Sequence, residues 1–262
     1  MTDLPINKIV CGDNVATMAT FPSESIDLVV TSPPYDNLRT YGGHSWDFEG
    51  VAQELWRVIK PGGVVVWVVN DATVNGSETG TSFRQALRFM EIGFRLHDTM
   101  IYAKDQCAFP DTVRYYAAFE YMFVFSHGAP KSINLLTDRI NKSAGRDVHG
   151  MERRKDGRMA KRACEGNVIE ENGVRWNWWL VRHQHRGIET NHPATFPECL
   201  ARDHILSWSN EGDIVLDPFS GSGTTAKMAK HNGRRYIGIE INPEYCEIAA
   251  KRLEQQVFEF GD

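Results

Sequence analysis

The chain is 262 residues long, 42% apolar and 24% charged, with a net charge of −5, a balance that suits a globular protein with a substantial core. Its longest apolar run, Val64 to Val69, is far too short to span a bilayer, and the N-terminus has no basic segment leading into an apolar stretch, so a cytoplasmic protein without a secretory signal is expected. The cysteines (Cys11, Cys107, Cys164, Cys199 and Cys246) are scattered with no CxxC pair, which argues against a zinc site or a disulfide framework.

Taken in chain order, Lys8 to Cys11 is a short strand candidate ending at Gly12-Asp13, and Val15 to Ala19 reads as a turn of helix. Ile26 to Val30 has the pattern of a strand buried on both faces. Val51, Leu55, Val58 and Ile59 recur at helical spacing, and Lys60-Pro61-Gly62-Gly63 is expected to stop that helix. Val64 to Val69 then forms a central strand ending at Asn70-Asp71. Ser82 to Met90 is a second helix with Gly93 beyond its end, and Leu96 to Tyr102 and Tyr121 to Phe125 are further strands. After an irregular stretch, a helix from Pro197 to Trp208, a strand from Ile214 to Asp217 and a helix from about Gly223 to Asn232 restore the alternation. Tyr236 to Glu240 is the last strand, and Pro243 to about Gln256 the last helix. This order predicts an α/β fold with a doubly wound, mostly parallel sheet.

The irregular stretch, about residues 131–191, reads as an insertion outside the sheet. From Arg139 to Arg162 it holds nine Lys/Arg against three acids, enough to attract phosphates and release counterions, although a charge run by itself also describes a solvated loop. Arg175-Trp176-Asn177-Trp178-Trp179 follows. Aromatic rings beside arginine suit base stacking and phosphate contact, and they equally suit core packing.

Ligands of such sheets sit beyond the carboxyl ends of the strands, and two strand ends carry specific chemistry. Asp217-Pro218-Phe219-Ser220-Gly221-Ser222-Gly223-Thr224-Thr225 leads into a helix, where glycine backbone and free amides can approach a ligand closely. Glu240 ends the next strand and can accept hydrogen bonds from a ribose. Neither GxGxxG nor GxxxxGK[ST] occurs, so a nucleoside cofactor other than NAD or ATP is expected. The second end is Thr31-Ser32-Pro33-Pro34-Tyr35. Consecutive prolines stiffen it, presenting the Ser32 hydroxyl and Pro33 carbonyl as fixed acceptors beside an aromatic ring. That arrangement fits a planar base bearing an exocyclic NH2 group.

Several segments together resemble the amino-methylating DNA methyltransferases. They are Gly12-Asp13, Asp27 to Tyr35, Leu55 to Gly63, His192-Pro193-Ala194-Thr195-Phe196-Pro197, Asp217 to Thr225 and Arg235 to Glu240. The acceptor motif precedes the cofactor motif, which resembles the β arrangement of that family and disfavours the RNA and protein amide methylases. The resemblance implies a Rossmann-like methyltransferase sheet in which residues 1–130 form the catalytic half, 131–191 a target-recognition insertion and 192–262 the cofactor-binding half.

It further implies S-adenosylmethionine as cofactor, released as S-adenosylhomocysteine, with no metal. Asp13, Thr31, Thr195, Pro197, Asp217, Phe219, Gly221, Gly223, Thr224, Glu240 and Asn242 would form its site. Ser32, Pro33, Pro34 and Tyr35 would be catalytic. Arg39, Arg146, Arg153, Arg154, Lys155, Arg158, Lys161 and Arg162 would contact duplex DNA. The implied reaction is direct transfer to a flipped base; no Pro-Cys pair offers the nucleophile of carbon-5 cytosine methylation. Ser32 at the first motif position resembles the N4-cytosine enzymes, with N6-adenine the alternative, and a non-catalytic nucleic-acid-binding relative a more distant one. A homodimer and a cognate restriction endonuclease are further partners that family members can have.

Overall fold

The computed structural model describes residues 3–34, 46–105, 112–181 and 197–254. They divide into two compact units, Met1–Asn134 with Asn177–Asp262, and Leu135–Trp176.

The larger unit carries a sheet of β1 (Lys8–Cys11), β2 (Ile26–Thr31), β3 (Ile59–Val69), β4 (Arg95–Lys104), β5 (Phe119–Ser126), β6 (Trp178–Val181), β7 (Ile214–Asp217) and β8 (Arg235–Glu240). Their order across the sheet is β1-β8-β7-β2-β3-β5-β4-β6. All neighbours are parallel except β3–β5 and β5–β4, so β5 alone runs against the rest. The helices are α1 (Asn14–Met18), α2 (Phe48–Val58), α3 (Thr81–Ile92), α4 (Glu198–Trp208), α5 (Thr224–His231) and α6 (Pro243–Glu254). Among the described residues, no helix is long and apolar enough to cross a membrane.

The all-apolar strands follow from burial on both faces. Val65, Trp67 and Val69 of β3 pack with Val51, Leu55 and Phe89 of α2 and α3 in one apolar cluster. Val64, Val66 and Val68, on the opposite face, are equally buried. Polar anchors fix the base of the sheet. Lys60 Nζ meets both carboxylate oxygens of Asp27 at 2.7 Å, and Asp27 Oδ2 accepts from the Ile214 amide at 3.0 Å. Arg57 donates to the Phe21 and Met18 carbonyls, each at 2.7 Å, closing the end of α1.

Three features depart from the sequence reading. The helix ends at Val58, just before Lys60-Pro61-Gly62-Gly63, as expected, but β3 begins at Ile59 and takes that segment in, with a register irregularity against β2 and Gly62 at φ +81°. The pairing survives because the Gly62 amide reaches the His127 carbonyl at 2.6 Å. Thr73–Val74 and Ser77–Glu78 form a small hairpin whose Asn75-Gly76 turn has positive φ at both residues, the type I′ geometry. Trp178–Val181, expected outside the sheet, pairs in parallel with Ile101 to Lys104 at its edge. Trp179 is there buried and stacked on His204 at 4.5 Å, whereas Trp178 is exposed.

The smaller unit, Leu135–Trp176, contains two antiparallel pairs, Arg139–Ile140 with Asn172–Gly173 and Met151–Arg153 with Met159–Lys161. Its glycines Gly145, Gly150, Gly157 and Gly166 all have positive φ, marking tight turns where the sequence shows only polarity.

Candidate active site

The carboxyl ends of β2, β7 and β8 lie side by side in the sheet, so the two sequence motifs meet at one edge. The Thr31 hydroxyl, at the end of β2, donates to Asp217 Oδ1 at the end of β7 over 2.6 Å, both residues being buried. Asp217 Oδ1 also accepts from the Phe219 amide at 3.1 Å, and the Thr225 hydroxyl donates to the Val30 carbonyl at 3.2 Å. Burial is the largest influence on Asp217 and lifts its pKa to about 6. The hydrogen bonds from Thr31, Phe219 and Thr225 pull the other way, and the Glu240 charge adds to the rise. A carboxyl group poised near neutrality therefore lies at the junction of the two motifs.

The loop after β7 turns back on β8. Glu240 Oε2 accepts from the Gly221 amide at 2.8 Å and Oε1 from the Asn242 amide at 2.9 Å. Each oxygen keeps lone-pair capacity for a further donor. Gly221 and Gly223 adopt φ of +49° and +78°. A Cβ on Gly223 would also sit 2.9 Å from the Ala249 Cβ of α6, so only glycine closes this turn. The Ser220 hydroxyl is buried without a hydrogen-bond partner among the described residues. A carboxylate held by two amides, a glycine turn and an orphaned buried hydroxyl are a donor and acceptor set suited to a polar nucleoside cofactor.

Other expected cofactor residues also make local contacts. Asp13 caps α1, accepting from the Ala16 amide at 2.8 Å. Thr224 is buried with its hydroxyl 3.3 Å from an Arg252 nitrogen. Asn242 Oδ1 accepts from the Glu244 amide at 2.9 Å, opening α6. Pro197 precedes α4, whose Leu200 and Ala201 amides reach its carbonyl. Phe219 packs edge-on against Trp46 at a ring separation of 4.9 Å, beside Trp67. Thr195 lies outside the described residues.

Of the acceptor motif, Ser32, Pro33 and Pro34 continue directly from the end of β2, with Pro33 buried and the other two partly so. Tyr35 and Arg39 lie outside the described residues. Sequence reasoning missed a bracing network behind the Asp217 to Thr225 loop. Glu198 Oε1 bonds Lys227 at 2.7 Å and Arg252 at 3.0 Å, while Arg252 also donates to the Ser222 carbonyl and hydroxyl, each at 2.7 Å. These residues come from α4, α5, α6 and the loop, and no local pattern announces such a long-range set.

In the smaller unit Arg146, Arg153, Arg154, Lys155, Arg158, Lys161 and Arg162 are all exposed. Arg153, Arg154, Lys155 and Arg158 occupy the tip of the Met151–Arg153 and Met159–Lys161 hairpin, which the Arg154 amide closes onto the Arg158 carbonyl at 2.9 Å. Among the described residues, no group of three or more His, Cys, Asp or Glu is arranged to hold a metal.

A doubly wound sheet with a nucleoside cradle beside a Ser-Pro-Pro strand end defines a Rossmann-like group-transfer enzyme. The N6/N4 DNA methylase family model matches residues 26–251, and the chain belongs to that family, the amino-DNA methyltransferases of cytosine N4 and adenine N6. It is 59% identical over 240 residues to the orphan methyltransferase M.BamHII of Bacillus amyloliquefaciens, covering 89% of this chain and 90% of that protein. It is 31% identical over 260 residues to the DNA adenine methyltransferase YhdJ of Escherichia coli K12, covering 94% and 82%. Among solved structures, the cytosine-N4-specific PvuII DNA methyltransferase superposes with a TM-score of 0.68 at 21% identity, covering 96% of this chain and 90% of that one.

Proposed function

We propose that this enzyme moves a methyl group from S-adenosylmethionine to the N4 amino group of a cytosine flipped out of duplex DNA. The observation that carries the reading is the Thr31–Asp217 hydrogen bond, which joins the Ser32-Pro33-Pro34 acceptor loop to the loop suited to the cofactor. When bound, the cofactor supplies an electrophilic methyl group. Glu240 would hold its ribose, and the Gly221 to Gly223 turn and Phe219 its remaining parts, with Asp13, Thr31, Thr195, Pro197, Asp217, Thr224 and Asn242 around them.

An exocyclic amino nitrogen is a poor nucleophile because its lone pair is delocalised into the ring. The Ser32 hydroxyl and Pro33 carbonyl accept its two hydrogens, which favours a tetrahedral nitrogen with a localised lone pair. The stiff Pro33-Pro34 backbone fixes those acceptors beforehand, so positioning and electrostatics supply most of the acceleration. Tyr35 stacks on the flipped base. Segment 131–191 recognises the target, with Arg39 and the basic residues from Arg146 to Arg162 contacting phosphates.

Ser32 supports cytosine over adenine. N6-adenine methylation is the second reading, favoured by the likeness to an adenine methyltransferase, since both bases present a similar amino edge. Incubation with methyl-labelled S-adenosylmethionine and DNA, RNA or protein tests the reading: label in DNA alone supports it, and label confined to RNA or protein overturns it.

A further inference from the structure

The smaller unit holds an open concavity of about 480 Å³ lined by Arg139, Asn141, Lys142, Ser143 and Trp176, among others. Its most organised element is the Arg139 side chain. The Arg139 guanidinium lies over the Trp176 ring, 4.3 Å from its centroid. Nε donates to the Val174 carbonyl at 2.8 Å, and no other partner engages the guanidinium among the described residues. Gly173 makes room for it: a Cβ there would come 2.3 Å from an Arg139 terminal nitrogen and 3.1 Å from Asn141 Nδ2. Trp176 is 54% exposed, so it is no core residue and its ring serves as a wall of the concavity.

An oriented guanidinium fork can hold a phosphate as well as a base edge, but the half-exposed Trp176 ring beside it adds an aromatic wall that suits a base and gives a phosphate nothing. A guanidinium fixed in plane with its terminal NH2 groups unengaged matches the paired O6 and N7 acceptors of guanine, which require a fork of defined orientation. We propose that Arg139 is a base-reading residue that recognises a guanine of the target sequence, held in position by Trp176 and Gly173. The proposal rests on the DNA-methylating function above.

The test measures kcat/KM for the full chain on duplexes carrying the recognised sequence and each of its single-base substitutions. Wild type, Arg139→Ala, Arg139→Lys and Gly173→Ala are compared, with cofactor affinity by calorimetry as the check on folding. The expected result is loss of discrimination at one G·C position by about 10- to 100-fold in all three variants, with discrimination elsewhere and cofactor affinity unchanged. Gly173→Ala keeps the arginine and misplaces it, so its parallel loss marks orientation as the cause. Activity lost uniformly over all duplexes and restored by lysine would mean a phosphate contact and overturn the proposal, as would unchanged discrimination in Arg139→Ala. Wild type in the same assay reports on the function itself: a wild type that leaves every duplex unmethylated overturns the underlying reading together with the proposal, whereas an active wild type with an indistinguishable Arg139→Ala overturns the proposal alone.

Discussion

The Thr31 hydroxyl donates a 2.6 Å hydrogen bond to the Asp217 carboxylate, so the last residue of β2 is bonded to the last residue of β7. One motif positions the other through this bond. Thr31→Val preserves shape and removes the donor, leaving a buried carboxylate one bond short. The expected cost is about 1–3 kcal/mol of stability, read from urea denaturation, together with a fall in methyl transfer larger than the loss of cofactor affinity. Equal stability and turnover in the variant would show that the two strand ends are independent.

Asp217 gives the protein a pH signature. Burial holds its folded pKa at about 6, above the value of about 3.9 for an unfolded aspartate. The native state therefore binds more protons than the unfolded state between about pH 4 and pH 6, and this residue's contribution to stability falls as pH rises through that window. Asp217→Asn keeps an acceptor for Thr31 and Phe219 but cannot ionise. Its denaturation midpoint is expected to lack that downward component, visible as a difference between the wild-type and variant profiles from about pH 4 to about pH 7. Parallel profiles would contradict the assignment.

Glu240 accepts from two backbone amides, one on each oxygen. Glu240→Gln turns an NH2 group towards one of those amides and removes the charge that would accept from a ribose. Cofactor affinity should fall about 10- to 100-fold, the scale of a lost hydrogen bond to a charged group, while the fold persists. Isothermal titration with S-adenosylmethionine measures it directly.

The hairpin tip Arg153-Arg154-Lys155 bears on DNA affinity rather than chemistry. Reversing all three charges should flatten the plot of log affinity against log salt by about 2–3, at roughly 0.9 for each phosphate that is no longer neutralised, with little change in turnover at saturating DNA. An unaltered slope would remove this hairpin from the interface.

Much of this architecture is legible in the sequence because its signals are local. Val64 to Val69 is a short run rich in β-branched residues, the pattern of a strand buried on both faces, and Gly221 and Gly223 mark the turn after Asp217. What escapes depends on distant partners. Lys60-Pro61-Gly62-Gly63 does end the helix, yet its place inside β3 escapes the sequence, because the pairing depends on the Gly62 amide finding the His127 carbonyl across the sheet. Trp178 and Trp179 look alike in sequence, and only pairing with β4 buries one and exposes the other. The motif positions of Asp13 and Asn242 give no hint that their side chains also cap the helices that follow. The bracing of Ser222 by Arg252 and Glu198 joins separate helices to the loop and leaves no mark in any one segment.

In the proposed reaction the Ser32-Pro33-Pro34 loop accepts the amino group of cytosine. Its most direct test is nucleoside analysis by mass spectrometry of unmodified duplex DNA treated with the enzyme and S-adenosylmethionine, using wild type and Ser32→Ala. Wild type is expected to yield N4-methylcytosine and Ser32→Ala none, with its cofactor affinity intact. N6-methyladenine as the product, or full activity without the Ser32 hydroxyl, would contradict it.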